Sequence, residues 1–108
     1  MGLTTALGCA HHGVPFVVIE DDDALSLDTK AGTTLARTLE VWRRFGVADA
    51  MLARAIRVDE IGDIDRATQR ATGSVRLDVL GAETRYPFVI NMPQHHMEPV
   101  LAAAVRAS

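Results

Sequence analysis

Cysteine is nearly absent from this sequence. Cys9 stands alone among 108 residues, so no intramolecular disulfide forms, and a reducing compartment such as the cytoplasm suits the chain. Proline and glycine are sparse, at 4 and 8 residues, while 48% of residues are hydrophobic. That excludes collagen-like, low-complexity and disordered chains. A basic excess is also missing. The net charge is −3, which argues against a general nucleic-acid binder. A helix-turn-helix could be laid over residues 33–56, where Arg37, Arg43, Arg44 and Arg54 supply charge. The overall acidity and the buried strand expected before it count against that reading. No apolar run approaches the ~20 residues of a membrane span. Residues 1–10 are small and apolar but lack the basic flank of a secretory leader, and Ala6 stands where a myristoylation motif needs Ser or Thr.

What is present has the length and composition of one globular domain, too short for a complete multi-domain enzyme. Leu3, Ala6, Leu7 and Ala10 share a face and predict a helix over residues 3–12, with His11 and His12 in its last turn and Gly13 as a left-handed cap. Phe16-Val17-Val18-Ile19 is apolar throughout, as a strand buried on both faces of a parallel sheet would be. Residues 21–32 read as a loop. A second helix is expected at about 34–45, ended by Gly46, with Leu35, Leu39 and Trp42 on one face. A short helix over 48–55 follows. Residues 57–65 and 74–80 read as strands joined by the polar loop Arg66–Gly73, and Tyr86–Met92 as a further strand. Met97, Val100, Leu101, Ala104 and Val105 form a last helical stripe. Pro99 is acceptable there if that helix begins at about His95–Met97, which puts it in the first turn.

The opening order is helix, glycine, apolar strand, acid. In a dinucleotide-binding unit a glycine turn precedes the helix, and an acid follows roughly 20 residues later at the tip of the second strand. Gly2 precedes Glu20 by 18 residues. A carboxylate at a strand end can accept hydrogen bonds from both ribose hydroxyls and would repel a 2′-phosphate. On spacing alone, Glu20 reads equally as a solvated strand end beside Asp21, Asp22 and Asp23.

The segments Gly2-Leu3-Thr4-Thr5-Ala6-Leu7 and His12-Gly13-Val14-Pro15-Phe16-Val17-Val18-Ile19-Glu20 resemble the start of the FAD-dependent aromatic-ring monooxygenases, the single-component flavoprotein hydroxylases. The resemblance continues through Ala36-Arg37-Thr38-Leu39-Glu40, Arg43-Arg44-Phe45-Gly46, Arg85-Tyr86-Pro87-Phe88 and Met92-Pro93-Gln94 to Glu98 and Leu101. It implies an α/β fold: a partial Rossmann-like FAD-binding domain lacking its first strand. Residues 1–56 and 93–108 would form the FAD-binding part, and 57–92 the start of the substrate-domain sheet. Gly2 matches the third glycine of the family's Gly-x-Gly-x-x-Gly turn, so the first strand and first two glycines are expected to be missing.

The resemblance further implies that Glu20 holds the adenosine ribose of FAD and that Arg37 reaches the phosphate region. Gln94 would touch the ribityl or pyrophosphate part. Lys30 stands where the family often has Arg, keeping the charge without the fork. The implied reaction is hydroxylation of a small phenol-like aromatic compound, with NAD(P)H and O2 as co-substrates. No catalytic residue can be named within this chain. The competing expectation is a truncated, non-enzymatic remnant that neither binds FAD tightly nor turns over.

Other chemistry is weaker. Adjacent histidines on a helix diverge by about 100°, so His11-His12 and His95-His96 do not each converge on one metal ion. Cys9 reads as a buried inert thiol, and Trp42 with Phe45 as core.

Overall fold

The computed structural model describes residues 2–25, 27–30 and 32–108. Helix α1 spans Gly2–His11. It ends as the sequence predicts. Gly13 adopts φ +66°, and the amides of Gly13 and Val14 donate back to the carbonyls of Ala10 and Cys9. Both bonds together close a Schellman turn, which a residue bearing a Cβ would strain. Helix α2, Ala36–Arg44, ends in the same way, with Gly46 at φ +75° and Val47 donating to Trp42. Helix α3, Ala48–Leu52, follows at once and is shorter than expected.

The expected strand over Phe16–Ile19 does not form. Residues 14–20 carry no strand pairing, and Val17 and Ile19 are 84% and 90% exposed. A strand apolar on both faces needs a neighbour to take its backbone groups, and among the described residues none runs beside it.

The sheet that does form is antiparallel. Its middle strand is β5, Val89–Asn91, flanked by β1, Thr33–Thr34, and β2, Ile56–Val58. Thr33 opposes Asn91, and so does Ile56. The stretch expected as one strand over 57–65 is two, broken at Asp59. The second, β3 over Glu60–Ile64, pairs with β4, Ala71–Arg76, in a separate hairpin with a bulge at Asp63 and Ile64. Every residue of this hairpin is exposed.

The strand expected over 74–80 stops at Arg76. The Leu77 amide still donates to the Asp59 carbonyl, one step on in the same register, and Leu77–Leu80 then coils into a 3-10 turn. Helix α4 spans Gln94–Ala107, beginning slightly earlier than expected. Pro99 therefore lies in the second turn, where the His95 carbonyl loses its usual helical donor. Pro99 is exposed, so water can serve that carbonyl instead.

One core joins these parts. Leu7 of α1, Leu39 and Trp42 of α2, Met51 of α3, Ile90 of β5 and Leu101 of α4 share it with Tyr86, Phe88 and Met92. Leu39, Met51, Ile90 and Met92 are fully buried. Trp42 also donates its indole N–H to the Thr4 hydroxyl at 3.3 Å, tying α2 to α1. Cys9 is only half-buried, not buried as expected. The radius of gyration is 16.6 Å, against about 13 Å for a compact chain of this length. The exposed hairpin fits that excess.

Candidate functional site

The five residues singled out in the sequence fall into four places. Gly2 opens α1 and is exposed, and a Cβ placed on it would meet nothing within 4 Å. The first-turn amides of a helix lack intrahelical acceptors, so this end can receive an anion. Glu20 lies at the end of the unpaired 14–20 segment. Its Oε1 accepts the amides of Asp21 at 3.1 Å and Asp22 at 3.4 Å. One carboxylate oxygen from each of Glu20, Asp21 and Asp22 lies within 4.8 Å of the others, all exposed. Glu20 thus folds onto its own loop, and its carboxylate remains open to solvent.

Lys30 and Gln94 come from segments that the fold stitches together. The Met92 amide donates to the Gly32 carbonyl at 2.7 Å. The Thr33 hydroxyl donates to Asn91 Oδ1 at 2.8 Å, and the Thr29 hydroxyl lies 3.3 Å from His95 Nδ1. Pro93 sets the start of α4, its carbonyl accepting the amides of His96 and Met97. Gln94 is the first helical residue, and its Nε2 donates to Glu98 Oε1 at 2.5 Å, one turn on. Lys30 is exposed on the adjoining segment.

Arg37 is elsewhere. It sits on the outer face of α2, 74% exposed, and pairs with Glu40 at 2.9 Å. The other oxygen of Glu40 accepts the Thr84 hydroxyl at 2.8 Å. The Thr84 hydroxyl and the nearby positive charges hold the Glu40 carboxyl below its ordinary value: the Thr84 bond is the largest cause, the Arg37 bond next, and the field of Arg44 adds to them. Arg37, Glu40, Arg43, Arg44, Arg85 and Tyr86 line an open groove of about 480 Å³. Glu20, Lys30 and Gln94 do not line it. No local pattern in the sequence marks this groove as a unit, because Arg85 reaches α2 only through the fold. The visible signal was Arg43-Arg44 at a helix C-terminus.

The FAD binding domain family model matches residues 1–108. Among solved structures, p-nitrophenol 4-monooxygenase from Pseudomonas putida is 26% identical, with a TM-score of 0.88 over 97% of this chain and 26% of that one. A flavin-dependent monooxygenase in complex with FAD and substrate is 25% identical, with a TM-score of 0.81 over 98% of this chain and 20% of that one. Aklavinone-11 hydroxylase, in a ternary complex with FAD and aklavinone, is 26% identical, with a TM-score of 0.79 over 98% of this chain and 22% of that one. The chain thus spans about a quarter or less of the solved structures it matches. No curated protein matches the sequence.

Proposed function

Since the chain belongs to the FAD binding domain family, we propose that it is the FAD-holding part of a flavin-dependent monooxygenase. That enzyme would hydroxylate a small phenol-like aromatic compound with NAD(P)H as reductant and O2 as oxidant. The observation carrying this reading is the superposition of 97% of the chain on a p-nitrophenol monooxygenase at a TM-score of 0.88. Residues 1–56 and 93–108 form the FAD-binding part in this reading, and 57–92 begin the substrate-domain sheet.

The residues present fit the dinucleotide. The open space at Gly2 lets a phosphate approach the free amides of α1. The exposed Glu20 carboxylate can accept two ribose hydroxyls. Lys30 offsets phosphate charge. Arg37 reaches a phosphate by leaving Glu40, exchanging one charged partner for another. Gln94 turns its amide from Glu98 toward the ribityl or pyrophosphate part. Bound FAD supplies the redox and oxygen-transfer chemistry, and the chain's own residues bind and orient it.

A second reading is favoured by residues 14–20. They pair with no strand among the described residues, and Glu20 at their end has no strand to aim it. In this reading the 108-residue chain is non-enzymatic and holds FAD weakly or not at all. Titrating the purified chain with FAD, by flavin fluorescence, separates the two. Stoichiometric flavin that is lost on Glu20→Ala and Gln94→Ala supports the first reading; a folded chain without flavin supports the second.

A further inference from the structure

Of the candidate cofactor residues only Arg37 lines the arginine groove beside α2, and Arg43, Arg44 and Arg85 have no role in the cofactor reading. Arg43 and Arg44 close α2, and Arg85 enters from the segment before Tyr86. With Arg37, four arginines line a groove whose one acidic residue is Glu40. Glu40 is already engaged at both oxygens, by Arg37 and Thr84. Among the described residues, no carboxylate pairs with Arg43, Arg44 or Arg85. A positive face thus stands on a chain whose net charge is −3.

The helix dipole accounts for part of this, since cations are stabilised in the last turn of a helix. It accounts for Arg43 and Arg44 but not for Arg85. Arg85 is held in place by its neighbours. Tyr86 is buried, and its amide donates to the Thr84 hydroxyl at 3.2 Å. That same hydroxyl donates to Glu40. Glu40 therefore links the Arg85 segment to α2, and Arg43, Arg44 and Arg85 share the groove with only the field of Glu40, already bonded to Arg37 and Thr84, to offset their charge. Such a cluster repels itself until an anion enters.

Guanidinium forks match phosphate oxygens in pairs. The groove volume falls in the range of small-ligand sites. We propose that Arg43, Arg44 and Arg85 form a phosphate-binding site for a small ligand bearing a diphosphate or phosphate monoester, separate from Glu20, Lys30 and Gln94.

The test is titration of the isotopically labelled 108-residue chain, followed by amide shifts, with three probes. Inorganic pyrophosphate represents the free anion, adenosine 2′,5′-bisphosphate the nucleotide source, and adenosine the uncharged control. The expected result is saturable shifts at residues 43–46 and 84–86 with the two phosphate probes and none with adenosine. The tighter phosphate probe identifies the source. Arg44→Gln with Arg85→Gln should weaken binding at least tenfold, and Arg106→Gln, at the far end of α4, should leave it unchanged. Glu40→Gln keeps an acceptor for Thr84 but removes the opposing charge, and should tighten binding several-fold. Absence of saturation, affinity unmoved by the arginine pair, or tighter binding of an oligoglutamate peptide than of either phosphate probe overturns the proposal. No probe carries a flavin, so failure of the FAD reading leaves this outcome unaffected.

Discussion

The two carboxylate oxygens of Glu40 bind different parts of the chain: Oε2 accepts Arg37 from the preceding turn of α2, and Oε1 accepts Thr84 across 44 positions of sequence. The carboxyl is held below its ordinary 4.5. A group with a depressed folded value stabilises the fold above its unfolded value and loses that contribution as pH falls through the folded one. Wild-type chain should therefore be more stable than Glu40→Gln at neutral pH. That advantage should shrink below about pH 4.5 and vanish once Glu40 is protonated in both states. Denaturant titrations across this window measure it, and Thr84→Val should reduce the pH dependence.

The two Schellman glycines make a matched pair. Gly13→Ala and Gly46→Ala each place a Cβ at positive φ with open space around it. The cost is then conformational, about 1–2 kcal/mol each. Urea midpoints should fall with unchanged slope, because no contact is lost.

Leu39 is fully buried at the centre of the core. Leu39→Ala should lower stability by about 2–5 kcal/mol. Leu35→Ala, at the residue that precedes the same helix, should cost far less, since Leu35 is 61% exposed. Paired thermal melts decide whether the core is centred where the burial places it.

The segment 14–20 presents adjacent apolar side chains to water. Val17→Lys with Ile19→Lys should leave the melting temperature almost unchanged and reduce concentration-dependent association in sedimentation velocity. Amides of residues 16–20 should exchange with solvent without the protection expected at the buried, paired Ile90. Protected amides there would mean that the segment is paired in solution.

Helix ends and helix faces were legible in the sequence, because the residues that decide them are local. Gly13 and Gly46 stop their helices where a left-handed residue is needed, and Leu39 with Trp42 mark the buried stripe. Strands were less legible, because a strand depends on what lies beside it. Phe16–Ile19 has strand composition but no partner. Val75, Leu77 and Val79 alternate, yet the strand ends at Arg76, where Leu77–Leu80 coils into a 3-10 turn. The candidate cofactor residues were legible only by resemblance. The fold links the segments of Lys30 and Gln94 and sends Arg37 to a different face. The arginine groove joins α2 to Arg85, and no local pattern could announce that.

The placement of β5 bears on how the chain is made. β5 is the one strand of its sheet paired along both edges, yet it is the last in sequence of the five strands among the described residues. During synthesis Thr33–Thr34 emerges long before Asn91 exists to oppose it. At about 5–20 residues per second, that wait is about 3–11 s. The nascent helices must stay soluble through this interval with the core side chains of Leu39 and Trp42 uncovered. Chaperone capture of the new chain should therefore persist until Asn91 leaves the ribosome and can pair.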